Sequence, residues 1–337
     1  MKYTFIILFI NFLLITSVFS QDPQFSQFYS TSLYLSPSFA GTSAGSRVVA
    51  NYRNQWPTIP GAFVTYGISY DHNFVNQNSG LGVMFLEDKA GTGNLSLTNI
   101  SILYSYDFRI NKKWHVRPGI SFIYSERGLD FHKFTFNDQM LYDNAYYATV
   151  EVPSQENIGY FDYSASILTY SKLYWLGTTI DHIREPNQSL IPDKKSIVPM
   201  KISVIGGMKF DLNNRVGKED ETSVSFAMNF KKQDVFKQLD FGSYFIKLPI
   251  MVGLWYRGLP FVKAYDNSNQ INHDAIILMA GYKYQNLSIG YSYDFTVSKQ
   301  VPATGGAHEV SLTYLFIQNQ RIKDKARKRI KVPCPQF

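Results

Sequence analysis

RVVANYRNQWPTIPGAFVTYGISYD, residues 47–71, decides the fold. In its first part Val48, Ala50 and Tyr52 alternate with Arg47, Val49, Asn51 and Arg53. In its second part Ala62, Val64, Tyr66, Ile68 and Tyr70 alternate with Phe63, Thr65, Gly67, Ser69 and Asp71. One face is apolar and aromatic and the other is small or polar. A period of two is the mark of a strand with two different environments. Pro57, Pro60 and Gly61 punctuate the turn between the halves. The stretch therefore predicts a β-hairpin.

The same grammar recurs as far as Ile317. Strands are expected at about Gly80–Leu86, Leu95–Phe108 and Trp114–Tyr124, then as a hairpin around Ser171-Lys172. Further strands are expected at about Met200–Phe210, Ser223–Phe230, Leu239–Ile246, Ile250–Tyr256, Ala275–Tyr284, Leu287–Val297 and Glu309–Phe316. Counted with the first hairpin this gives about fourteen strands, an even number of the kind closed barrels use.

The chain opens with a leader. Met1–Ser20 has one charge, Lys2, then an apolar run from Tyr3 to Leu14, then small residues at Val18 and Ser20. That order predicts a secretory signal peptide cleaved near Ser20 after Sec-type export. No later stretch approaches the ~18 unbroken apolar residues of a membrane helix. Charged residues are 18% of the chain and aromatics 16%, against ~25% charged in ordinary soluble chains. With one cysteine, Cys334, an exported chain has no disulfide scaffold, and Cys334 reads as a tolerated tail residue. The net charge of +7 is concentrated in the tail, where Arg321, Lys323, Lys325, Arg327, Lys328, Arg329 and Lys331 face only Asp324. Basicity is thus a property of the tail, suited to an acidic partner or anionic lipid headgroups. Nucleic acid does not suit an exported chain.

Connection lengths alternate. Short turns such as VNQNSG, INKK, SK, KL and QN follow even strands. Longer connections follow odd ones: QWPTIPG, EDKAGTGN, 126–159, 183–199, 258–274 and 298–308. Outer-membrane barrels show this asymmetry, with short periplasmic turns and long outer loops, and an even count places both termini on the periplasmic side. Tyr104, Tyr106, Phe108, Tyr282, Tyr284, Tyr291, Tyr293 and Phe295 lie toward strand ends, as in interfacial girdles. The fold expected is an all-β transmembrane antiparallel barrel at 46–318. It is preceded by a plug-like segment at 21–45, rich in Phe and Tyr, and followed by a basic periplasmic tail at 319–337. The segment's aromatics and the bulky Met84, Leu103, Ile123, Leu168, Ile205, Met251, Trp255 and Met279 on inward faces argue for a filled lumen.

Catalytic or metal signatures are lacking. His72, His115, His132, His182, His273 and His308 are scattered without metal spacing. Asp71-His72 and Asp181-His182 read as solvated residues at strand ends. There is no nucleophile elbow and no P-loop. No enzyme and no cofactor are expected.

The block QDPQFSQFYSTSLYLSPSFAG, residues 21–41, followed by NYRNQWP, residues 51–57, resembles the PorP/SprF family of type IX secretion system membrane proteins. The resemblance is most specific across residues 22–71. It implies an outer-membrane barrel that aids secretion or surface attachment of large adhesins, often in gliding motility, with the adhesin cargo, secretion components and outer-membrane lipid as partners. A porin-like or fatty-acid-transporter-like channel is the alternative function. Trp56, Tyr142, Tyr146 and Tyr147 in outer connections are candidate partner contacts, since Tyr and Trp are enriched at interface hot spots. Arg327, Lys328 and Arg329 are candidates in the tail. Asn51, Arg53, Gln55, Asp71 and Asp107 read as structural, Arg53 pairing with Asp71 or Asp107 to brace the barrel mouth.

Overall fold

Arg47, Val49, Asn51 and Arg53 are buried while Tyr52 is exposed, so the period of two divides an inside from an outside. This is the pattern of every stave in the computed structural model, which describes residues 22–136, 139, 155–212, 222–263, 271–297, 305–316 and 332–334. The strands are β1 (Ser46–Gln55), β2 (Phe63–Phe74), β3 (Ser79–Ala90), β4 (Leu95–Tyr106), β5 (Phe108–Arg109), β6 (His115–Gly128), β7 (Asn157–Tyr170) and β8 (Tyr174–Asp181). They continue as β9 (Lys201–Asp211), β10 (Thr222–Gln233), β11 (Phe236–Lys247), β12 (Ile250–Lys263), β13 (Ile271–Tyr284), β14 (Leu287–Thr296) and β15 (Ala307–Phe316). Each pairs antiparallel with its sequence neighbour, and β1 pairs with β15 to close the ring. β4 also pairs directly with β6; the two residues of β5 only carry its line on past Asp107. The result is a closed antiparallel barrel of fourteen staves. No helix among the described residues is long and apolar enough to cross a membrane; the strands do the crossing.

The outer surface is a belt of exposed Tyr66, Ile68, Phe122, Phe161, Leu254 and Leu278. In water such a belt would be untenable, whereas lipid tails accept it, and ladders with both neighbours run through the middle of the ring. Tyr104, Phe108, Tyr282, Tyr284, Tyr291 and Phe295 are exposed as well, as the girdle reading expects.

The expected strands are all present, but many reach further at the loop end. β3 runs on through Glu87-Asp88-Lys89, and the connection to β4 shrinks from EDKAGTGN to Gly91–Asn94. β6 likewise continues through Glu126 and Arg127. Beyond the lipid belt both faces of a strand are polar, so alternation fades from the sequence while the ladder with the neighbouring strand persists. The β10–β11 connection is only Asp234-Val235, an exception to the length rule at that end.

Residues 22–45 run inside the ring. A short helical turn α1 (Ser32–Leu35) and a 3-10 turn (Pro37–Phe39) give the segment its only regular structure. Phe28 lies against Trp255 at a centroid distance of 4.9 Å, and Tyr29 against Trp175 at 5.9 Å. With Leu168, Ile205, Tyr244, Met251 and Met279 they form one apolar core on the β7–β13 side. The β1–β6 side of the lumen is polar and carries Arg47, Asp71 and Arg117. The chain's last described residues, Val332–Cys334, are buried in the same apolar core. They stand apart from the basic stretch of the expected tail: Val-Pro-Cys is uncharged and fits against Tyr29 and Tyr244, so Cys334 is a core residue and not a tolerated tail residue.

Backbone contact with the inner wall requires glycine. A Cβ at Gly119 would collide with the backbone of Pro37 and Ser38, and one at Gly80 with Ala40. At Gly67 the nearest atom would be 3.6 Å away, in Phe25. Overpacking of a tight site costs about 1–3 kcal/mol. Gly119→Ala should therefore lower the midpoint of heat modification on gels, and Gly67→Ala should leave it near wild type.

Candidate functional site

A carboxylate inside a barrel must be paired or it would take up a proton. Glu309 on β15, fully buried, is paired many times over. Its oxygens accept from the backbone N–H of Ser26 at 2.6 Å and of Gln27 at 3.1 Å, and from Arg53 Nη1 at 3.2 Å. The Gln27 amide donates to the Glu309 carbonyl at 3.0 Å and accepts from Ser311 Oγ at 2.6 Å. Asp294 on β14 accepts from Ser26 Oγ at 2.6 Å, Arg53 Nη2 at 2.9 Å and Arg257 Nη1 at 3.0 Å. Arg257 on β12 also donates through Nε to Asp240 on β11 at 3.0 Å. Two guanidinium groups thus bind three carboxylates, and Ser26 sits at their centre. Register explains the meeting. Arg53 lies directly across from Glu309, and Asp240 directly across from Arg257. Opposite residues of an antiparallel pair face each other closely, which suits opposite charges.

The segment is tied at both ends of the lumen. At the loop end Asp22 accepts from Lys201 at 2.5 Å and meets His182 Nε2 at 2.9 Å. His182 Nδ1 meets Asp162 at 2.6 Å. Burial alone would lower the imidazole pKa, but Asp22 and Asp162 outweigh it and push it up to about 10. Burial likewise acts to raise Asp22, and the His182 and Lys201 charges bring it well below the usual carboxylate range. The pair is therefore ionised at neutral pH. At the turn end the Gly41 N–H donates to Asp71 at 2.8 Å, and Arg47 donates to the same carboxylate at 2.8 Å. Arg117 Nη2 donates to the Ala40 carbonyl at 2.6 Å.

Above the segment, at the loop end, lies an open cavity of about 770 Å³. Asp22, Gln24, Phe28 and Tyr34 line it from the segment, and Gln55, Trp56, Arg127, Lys201, Lys231 and Gln238 from the wall. Lys231 lies over the Phe28 ring at 5.4 Å. Among the described residues no cluster of side chains could hold a metal.

The residues singled out from sequence fall as follows. Arg53 binds Asp294 and Glu309 and neither Asp71 nor Asp107, which lie toward the other end of the lumen. Asp71 pairs instead with Arg47, its register partner. Asp107 accepts from Tyr170 at 2.9 Å and meets His115 at 3.1 Å. Asn51 donates to Ser30 Oγ at 3.4 Å, and Gln55 accepts from Arg53 at 3.3 Å. Trp56 stacks edge-on with Phe63, and its backbone N–H donates to the Gly306 carbonyl at 2.8 Å at the loop-side mouth. Tyr142, Tyr146, Tyr147, Arg327, Lys328 and Arg329 lie outside the described residues. Asp71 and His182 are not the solvated strand-end residues expected: Asp71 is 1% exposed and His182 bridges two carboxylates. Sequence reading passed over Arg257, Asp240, Asp294 and Glu309. Each sits at an inward position of its strand, and a charge there was the available signal.

A family model described as "Type IX secretion system membrane protein PorP/SprF" matches residues 17–314. The chain belongs to the PorP/SprF family. As a closed barrel of that family it is an outer-membrane protein of a type IX secretion system. Family and fold describe a secretion-system membrane protein and give no sign of an enzyme. No curated relative matches the chain. Among solved structures this PorP/SprF barrel is similar to the CymD monoaromatic hydrocarbon channel, at 11% identity and TM-score 0.47, covering 85% of this chain and 93% of that one. It is similar to the Acinetobacter baumannii outer membrane protein Omp33, at 8% identity and TM-score 0.46, covering 82% and 100%. It is also similar to the Pseudomonas putida toluene transporter TodX, at 9% identity and TM-score 0.44, covering 88% and 94%. At these identities the likeness is one of barrel shape alone.

Breaking a buried ion pair by removing one partner costs about 3–5 kcal/mol, whereas exposed pairs contribute about 0–1 kcal/mol. Arg53→Met in this PorP/SprF barrel should lower unfolding stability in micelles by that larger amount. Lys89→Met, at the half-exposed Glu87–Lys89 pair, should change it by less than about 1 kcal/mol.

Proposed function

We propose that this barrel is a protein-binding component of type IX secretion, aiding secretion or surface anchoring of large adhesin-type cargo in attachment or gliding. The observation that supports this reading is the filled lumen. Residues 22–45 occupy the barrel from end to end, held by backbone hydrogen bonds to buried carboxylates and by the Asp22–Lys201 ion pair, and among the described residues they fill the polar path that a porin keeps open. A barrel that does not conduct has its two mouths and their connections as working surfaces. This makes the small-solute channel the weaker reading.

In this reading the leader at 1–20 is removed near Ser20, 21–45 serves as the plug, and 46–318 forms the outer-membrane barrel. The long connections face outward and the short turns face the periplasm. Cargo engages the outer face, chiefly the long β6–β7 connection that carries Tyr142, Tyr146 and Tyr147. Trp56 contributes from the rim or braces it. In this reading the basic stretch Arg321–Lys331 belongs to the periplasmic side, where Arg327, Lys328 and Arg329 would meet acidic secretion components or anionic lipid.

Deleting Asn137–Glu156 should leave a heat-modifiable barrel in the membrane and abolish surface display of the cargo adhesin. Normal display with that deletion would remove the long connection as the cargo site and leave the basic stretch as the next candidate.

A further inference from the structure

An even-stranded barrel has both strand termini at one end, and here β1 begins and β15 ends on the turn side. The chain before β1 nevertheless travels to the other end. Its contacts follow the height of the barrel in order. Gly41 and Ser43 meet Asp71 and Asn73, at the turn end of β2. Ser38 meets Ser166 at 2.6 Å. Ser26 and Gln27 meet Asp294 and Glu309 in the loop half. Gln24 donates to Gln238 at 2.8 Å, near the loop end of β11. Asp22 meets Lys201, the first residue of β9, and Gln233, the last of β10, both at the loop end.

We infer that the segment is threaded through the barrel and presents the amino-terminal side of Asp22 at the loop-side mouth, across the membrane from the start of β1. Asp22 acts as the latch. Its carboxylate is gripped by Lys201 and His182, and the neighbouring Pro23 carbonyl accepts from Tyr34 at 2.5 Å. Asp22 itself borders the 770 Å³ cavity at that mouth. The β1–β15 seam closes around a segment packed by Phe28, Tyr29 and Phe39. The inference concerns which mouth the terminus reaches. It stands on the contacts above and not on which mouth faces the cell exterior.

The test is carried out on the full-length protein in cells. An epitope is inserted between Gln21 and Asp22. In a Cys334→Ser background, Lys194→Cys reports the loop side and Lys112→Cys the turn side. The epitope should be reached by antibody under the same conditions in which Lys194→Cys reacts with an impermeant maleimide. If both become accessible only after permeabilisation, the inference holds and the membrane orientation under Proposed function is reversed. An epitope that follows Lys112→Cys overturns the inference. A second measurement avoids the insertion. With Cys334→Ser, a short bis-maleimide should join Gln24→Cys to Gln238→Cys, read by mass spectrometry. Joining of Gln24→Cys to Ile246→Cys, inward-facing at the turn end of β11, in its place would overturn the inference as well.

Discussion

The structure depends on Glu309 and its neighbours clasping the backbone of Ser26 and Gln27. A barrel of fourteen staves encloses more space than its own inward side chains fill, and a polar strand face alone would leave it wet. The clasp turns that space into a second core. Glu309 and Asp294 on two adjacent staves cannot stay ionised in that interior without Arg53 and Arg257, and the arginines cannot be buried without the carboxylates. Ser26 completes the arrangement by accepting from both guanidiniums through Oγ, and the Gln27 N–H donates to the Glu309 oxygen that they do not reach. The wall and the segment are therefore mutually dependent: removing either strands charge in a low-dielectric interior.

The remainder of the lumen is organised from that point. Toward the turn end the segment meets the wall through glycines and through Arg117 and Asp71. On the β7–β13 side Phe28 and Tyr29 meet tryptophans, and Val332–Cys334 adds a second piece of chain to the same apolar core. Both ends of the chain thus contribute to filling the barrel. Among the described residues a cavity stays open at the loop mouth, floored by the segment itself. A protein partner that docks at this mouth would meet the segment directly.

Much of this was legible in the sequence, and the pattern of what was not is physical. The staves could be read because lipid outside and a polar lumen inside impose alternation on residues such as Val48 to Tyr52 and Tyr66 to Tyr70. The strand extensions at Glu87–Lys89 and Glu126–Arg127 could not, because water on both faces erases the period. Arg53 was recognisable as a buried structural residue from its place on the inward face. Its partners were not, because Asp294 and Glu309 lie more than two hundred residues away and only ring closure through β1–β15 brings them near. The same holds for His182, which looked like a solvated strand-end residue until Asp22 arrived from the far end of the chain. Local signals carried the elements, and topology alone carried the site.

The central claim is that the segment fills and seals the lumen. Planar-bilayer recording tests it most directly, comparing the intact barrel with one lacking residues 22–40. The account predicts no steady conductance from the intact protein and porin-scale steps after the deletion. Steady porin-scale conductance from the intact protein would contradict it.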